Sequence, residues 1–140
     1  MQSTIGHLQI NIAPQNQAFY KDLFCFLGWS VWYEDPSMLG VGTPEQVSLW
    51  FAGQAKPAAN DYDGVGMNHL GIAVKSAAEV DQAAGYLRER GISALFDTPR
   101  HRPEFCSSPA ETYYQVMFES PDRILFEVVY TGPNPDSIHN

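Results

Sequence analysis

Two histidines and a glutamate give the first indication of chemistry in this chain. His7 heads the run Gly6-His7-Leu8-Gln9-Ile10-Asn11-Ile12, and His69 heads its near copy, Asn68-His69-Leu70-Gly71-Ile72-Ala73-Val74. One supersecondary module used twice would set the two histidines at equivalent points about a pseudo-two-fold axis. Glu127 lies in the closing apolar run Ile124-Leu125-Phe126-Glu127-Val128-Val129-Tyr130. Burying a carboxylate among such neighbours costs on the order of several kcal/mol unless it is paired or bound to a metal. Two neutral imidazoles and one carboxylate hold a divalent ion on one side and leave its other positions open. That set suits Fe2+, and equally Mn2+, Ni2+, Co2+ or Zn2+. One divalent metal ion per site, on His7, His69 and Glu127, is the expectation.

A second group of candidates lies in the run Pro99-Arg100-His101-Arg102-Pro103-Glu104-Phe105 and in Tyr113-Tyr114 beyond it. Long loops in compact domains are often lids or binding segments. Arg100 and Arg102 suit a carboxylate or phosphate of a substrate, and His101 suits proton transfer near neutral pH. A solvated rim is the competing reading of the same charges. Strand alternation turns one of the two tyrosines inward and leaves the other to packing. The candidate catalytic residues are therefore His101, Tyr113 and Tyr114.

The elements that must position these groups follow from periodicity. Leu8, Ile10 and Ile12 alternate with His7, Gln9 and Asn11, which predicts a strand with one apolar and one polar face. Gln9 and Asn11 share the face of His7 and suit contact with a bound substrate or water. Pro14 favours a helix start, Ala18, Phe19, Leu23, Phe24 and Leu27 recur at helical spacing, and Gly28 is a stop. Short strands are expected over 30–33, 38–41 and 47–51, separated by the turns Asp35-Pro36-Ser37 and Gly42-Thr43-Pro44. The order then repeats. A strand over 69–74 leads to a helix opened by the capping box Ser76-Ala77-Ala78-Glu79 and closed at Gly91. Strands over 93–96, 113–118 and 124–130 follow, with a long loop over 98–112.

Module one is thus expected over 4–53, a linker over 54–66, and module two over 67–131. A single domain would span 1–132, and 133–140 would form a loose tail. Strand-helix-strand-strand-strand, taken twice, predicts an α+β fold: two βαβββ modules forming an eight-stranded curved sheet around a metal-binding cleft.

Composition narrows the partners. A net charge of −8 disfavours nucleic acid and anionic membranes. No stretch approaches the ~20 apolar residues of a membrane span, and the N-terminus lacks a secretory signal pattern. Cys25 and Cys106 form neither a metal spacing nor a disulfide framework, so a reducing cytoplasm with free thiols is expected.

The chain resembles the vicinal oxygen chelate superfamily, which includes glyoxalase I, extradiol dioxygenases, fosfomycin-resistance thiol transferases, methylmalonyl-CoA epimerases and bleomycin-binding proteins. The residues that carry the likeness are Gly6-His7-Leu8, Phe19-Tyr20-Lys21-Asp22-Leu23 through Leu27-Gly28-Trp29, Asn68-His69-Leu70-Gly71-Ile72, and Phe118-Glu119-Ser120-Pro121-Asp122-Arg123 leading to Phe126-Glu127. It spans about Ile5 to Tyr130, and small uncharacterised members are the most similar.

The resemblance implies a glyoxalase-like fold and the ligand set His7, His69 and Glu127. It places the family's fourth possible ligand at Leu49 or Trp50, neither of which coordinates; Gln46 or Ser48 would serve only after a register shift. Glyoxalase I uses a glutamate there, so glyoxalase I proper is disfavoured. Extradiol dioxygenases have a tyrosine where Met117 stands, and fosfomycin enzymes a threonine where Gln9 stands. The leading expectation is a metal-dependent enzyme acting on a small oxygen-chelating substrate, with lyase, isomerase or dioxygenase-type chemistry through a stabilised oxyanion or enolate. The alternative is a non-catalytic, bleomycin-resistance-like binding protein. A homodimer and a small-molecule substrate are the implied partners.

Overall fold

The computed structural model describes residues 1–139. They divide into two compact units, Met1–Asn60 and Asp61–Asn140, and the boundary falls inside the stretch expected as a linker.

In the first unit β1 (His7–Asn11) is followed by a 3-10 turn at Pro14–Asn16, then by α1 (Gln17–Phe26). Pro14 therefore opens the tight turn ahead of the helix rather than the helix itself. Gly28 ends the element at φ +88°, a conformation that costs glycine nothing, while the Trp29 amide donates back to the Phe24 carbonyl. Three strands follow, β2 (Ser30–Asp35), β3 (Met38–Gly42) and β4 (Ser48–Ala52). They form a four-stranded sheet in the order β1-β4-β3-β2, with β1 parallel to β4. Ile10, Leu39, Val41, Leu49 and Phe51 bury one face against Tyr20, Leu23 and Phe24 of α1. Tyr20 stacks on Phe51 with ring centroids 4.5 Å apart. Each of these fully buried side chains contributes about 1.5–3 kcal/mol.

The second unit repeats the order with β5 (His69–Ala73), α2 (Ala77–Glu89), β6 (Leu95–His101), β7 (Glu111–Glu119) and β8 (Leu125–Pro133). Its sheet runs β5-β8-β7-β6, the same arrangement as in the first unit. The Ser76 hydroxyl caps α2 by accepting from the Glu79 amide at 3.3 Å. Glu79 in return accepts from the amide of Lys75, at 2.6 Å, rather than from that of Ser76. Val80, Ala83 and Leu87 of α2 cover Val116, Phe118, Phe126 and Val128.

The eight strands thus form two four-stranded sheets in an α+β fold of paired βαβββ modules. The strand expected over 93–96 starts at Leu95 and runs into what was expected as loop. β8 reaches Pro133, and a 3-10 turn spans Pro135–His139. Among the described residues no helix is long and apolar enough to cross a membrane. Both cysteines are free thiols.

Candidate functional site

A cavity of about 550 Å³ opens on the second unit's sheet, within the ~300–1,000 Å³ range of small-molecule sites. Register explains its floor. Met117 pairs with Glu127 across β7 and β8, and Gly71 of β5 pairs with Glu127 from the other side. Residues two apart share a face, so Tyr113, Gln115 and Met117 form one stripe, with Leu125 and Glu127 beside it. His69 shares that face through β5, two residues before Gly71. The six side chains of Tyr113, Gln115, Met117, Leu125, Glu127 and His69 all line the cavity. A Cβ at Gly71 would lie 3.2 Å from Glu127 Oε2, so the absent side chain makes room for the carboxylate.

Glu127 is 3% exposed, and both of its oxygens are engaged. The Tyr113 hydroxyl donates to Oε1 at 2.8 Å, and His69 Nε2 lies 3.1 Å from Oε2. Four residues separate Tyr113 from Met117, about 13 Å of strand, so the tyrosine ring must lean along β7 to reach the carboxylate. Burial, followed by the hydrogen bond to Glu127, pushes the Tyr113 phenol up to about 12. It remains a proton donor to Glu127 across the physiological range.

The state of His69 follows from its neighbours. Asn68 Nδ2 donates to the Tyr62 carbonyl at 2.9 Å, which fixes the amide and turns its Oδ1 toward His69. Oδ1 only accepts, so His69 Nδ1, 2.8 Å away, carries the hydrogen. Nε2 then faces a carboxylate oxygen. That contact is attractive only when a cation lies between the two atoms, either a proton on Nε2 or a metal ion held by both.

The donor pair fits a metal. Adjacent ligands at right angles around an ion with ~2.1 Å bonds sit about 3.0 Å apart, close to the observed separation. An outer hydrogen bond that fixes the tautomer, as Asn68 supplies, is the usual support of a metal-binding histidine. Among the described residues no group of three or more His, Cys, Asp or Glu side chains is arranged to hold a metal ion.

The walls are aromatic. β6 bulges between Leu95, paired with Met117, and Arg100, paired with Gln115. The extra residues begin with Phe96 and Asp97, both at φ +57°, a left-handed pair that costs roughly 1–2 kcal/mol per non-glycine residue. Thr98 pins the bulge by donating to the Leu95 carbonyl at 2.6 Å and accepting from the Met117 amide at 2.9 Å. Phe96 is thereby turned to the cavity. The loop ahead of β5 supplies Tyr62 and the 3-10 turn Pro103–Phe105 supplies Phe105, which packs edge-on against Tyr113 at 5.2 Å. Arg102 also lines the cavity, with its Nε on Glu104 at 2.6 Å.

Several residues singled out in the sequence lie elsewhere. Tyr114 and His101 pair with each other on the opposite, helix-covered face of the sheet. The Tyr114 hydroxyl donates to Asp81 of α2 at 2.7 Å, and His101 Nδ1 meets Thr112 Oγ1 at 2.6 Å. Alternation separates the two neighbouring tyrosines, and Tyr113 is the inward one. Burial, then the bond to Asp81, raises Tyr114 to about 12 as well. Arg100 is exposed and does not line the cavity.

In the first unit His7, Gln9 and Asn11 are exposed along β1, as alternation predicts. His7 pairs with Ser48 and Gln9 with Trp50. Gly71 stands where Gln9 does, so Trp50 is the counterpart of Glu127, and the register leaves no ligating side chain there. Ser48 accepts from Trp50 Nε1 at 3.1 Å. Gln46 lies outside β4, at φ +65°.

Asn68, Gln115, Phe96 and Gly71 were not selected from the sequence. Gln115 alone was within reach, through its period-two spacing from Tyr113.

No protein-family model matches the chain, and no curated protein matches it significantly by sequence. Solved structures do match. A candidate glyoxalase from Bacillus halodurans is 25% identical, with a TM-score of 0.75 over 92% of this chain and 96% of that one. A glyoxalase/bleomycin resistance protein from Albidiferax ferrireducens T118 is 18% identical, with a TM-score of 0.67 over 91% and 98%. A glyoxalase/dioxygenase from Nostoc punctiforme is 16% identical, with a TM-score of 0.65 over 92% and 91%. The doubled βαβββ module, found again along nearly the full length of these proteins, places the chain in the vicinal oxygen chelate superfamily.

Proposed function

We propose that this protein is a metal-dependent enzyme acting on a small oxygen-chelating substrate in the second unit's cavity. The observation that supports the reading is the His69–Glu127 pair, whose 3.1 Å separation suits a metal ion held by both atoms as well as a shared proton. His69 and Glu127 would hold a divalent ion. Bound there, the ion supplies Lewis-acid chemistry, drawing neighbouring substrate oxygens to itself and favouring negative charge on them.

The remaining work falls to the chain. Asn68 keeps the His69 proton on Nδ1 and so leaves Nε2 free to ligate. Tyr113 donates to Oε1 and thereby leaves Oε2 as the ligating oxygen. With its one hydrogen given to Glu127, the Tyr113 hydroxyl at the cavity wall offers its lone pairs to a donor group of the substrate.

The aromatic walls favour a second reading, a binding protein for a flat ligand without catalysis. Metal analysis separates the two. Protein purified without chelator, measured by mass spectrometry beside His69→Ala, should carry about one divalent ion per chain and lose it in His69→Ala. A parent protein that neither carries nor takes up iron, manganese, nickel, cobalt or zinc would refute the enzyme reading.

A further inference from the structure

Gln115 is the least explained residue of the cavity. It is 3% exposed, lies on the floor stripe between Tyr113 and Met117, and faces the opening. Its side-chain amide has no hydrogen-bond partner among the described residues. Its amide atoms open into the cavity, since among the described residues the one side-chain polar atom sealed away without a partner is Gln17 Oε1. The neighbouring polar side chains of the stripe are already committed, Tyr113 to Glu127 and Glu127 to Tyr113 and His69. An open buried amide inside a cavity is therefore a place kept for a ligand group.

We infer that Gln115 is the specificity-determining residue of this site and reads a neutral ligand head that both donates and accepts, such as a carboxamide. A carboxamide offers N–H and C=O side by side, and so does its partner here. A carboxylate only accepts, so it would leave the Gln115 carbonyl unmet. It would also bring a second negative charge to within about 7–8 Å of Glu127, the diagonal cross-strand spacing, while Arg102, the cation on the cavity wall, is already paired with Glu104. An alkyl head would leave both ends of the amide unmet. The body of the ligand is set by the rim. Phe96 and Phe105 are 52% and 58% exposed, large apolar side chains turned to the same cavity, and they suit a flat apolar ring. The class is a planar molecule with a neutral amide-like head.

The inference rests on the cavity being the ligand site and not on the metal. Its test uses the full chain, with and without a chelator, titrated with benzamide, benzoate and toluene while amide chemical shifts are followed. Benzamide should bind about tenfold more tightly than toluene or benzoate. Gln115→Met keeps the volume and should remove that preference while leaving toluene binding unchanged. Phe105→Leu should weaken benzamide and toluene alike and leave their ratio intact, which provides a second reading should the Gln115 variant fail to fold. Equal affinity of the parent for benzamide and toluene, or a ratio unmoved by Gln115→Met, would overturn the inference. A preference that persists in chelator while metal uptake fails would uphold Gln115 and refute the metal reading alone.

Discussion

Tyr113→Phe removes one hydroxyl and almost no volume, so its effect isolates the bond to Glu127. The carboxylate is 3% exposed and accepts from the Tyr113 hydroxyl at 2.8 Å. A hydrogen bond to a charged group contributes about 1.5–3 kcal/mol. The cavity beside Glu127 lets water replace part of the loss, so the expected destabilisation is the lower figure, about 1.5 kcal/mol. With an unfolding entropy of about 2.1 cal/mol/K per residue, the 140-residue chain melts about 5 °C lower if it unfolds as one. Urea unfolding in chelator is the assay, because a bound metal would neutralise the carboxylate and mask the effect. Glu127→Leu provides the control. In that background the hydroxyl has no anion to serve, and Tyr113→Phe should cost less than about 0.3 kcal/mol, giving a coupling energy above about 1 kcal/mol. A single-variant loss within 0.3 kcal/mol of zero, or additive losses, would refute the claim that Tyr113 holds this carboxylate.

Three further outcomes follow from the same geometry. Tyr113 and Tyr114 are raised to about 12 by burial and by a bond to a carboxylate; the stability they contribute is whole below the unfolded phenol value of about 10 and is lost as pH rises through about 12. Ultraviolet titration should lose one phenolate step near pH 12 in each Tyr→Phe variant, and a step near 10 instead would refute the burial argument. Gly71→Ala would press a Cβ to 3.2 Å from Glu127 Oε2, and should lower metal content by mass spectrometry with little change in urea midpoint; full metal loading would show that the carboxylate has room to move. Because His101 and Tyr114 lie on the helix side of the sheet, His101→Ala and Tyr114→Phe should keep parental metal content, and metal loss in either would contradict the register.

The sequence by itself determined the doubled module, its element order and its inward faces. Periods of two and of 3.6 in apolar residues are set by local backbone geometry, so Leu8, Ile10, Leu23 and Phe24 announced their partners before any contact was known. His69 and Glu127 were legible for the same reason, one at the head of a repeated strand and the other a charge among apolar neighbours. Capping at Ser76 and the stop at Gly28 are also local and were read correctly. What only the tertiary structure decided depends on register between strands far apart in sequence. Choosing Tyr113 over Tyr114 required the pairing of β7 with β8, since one step of slip reverses every side chain. The bulge that turns Phe96 inward replaced an expected plain strand and loop, because Thr98 bonds to Met117 nineteen residues away. The tautomer of His69 hangs on Asn68, and Asn68 on a carbonyl at Tyr62. Gln115 is an ordinary polar strand residue in the sequence; an amide that opens into the cavity with no protein partner, a property of the assembled sheet, is what makes it a candidate for recognition.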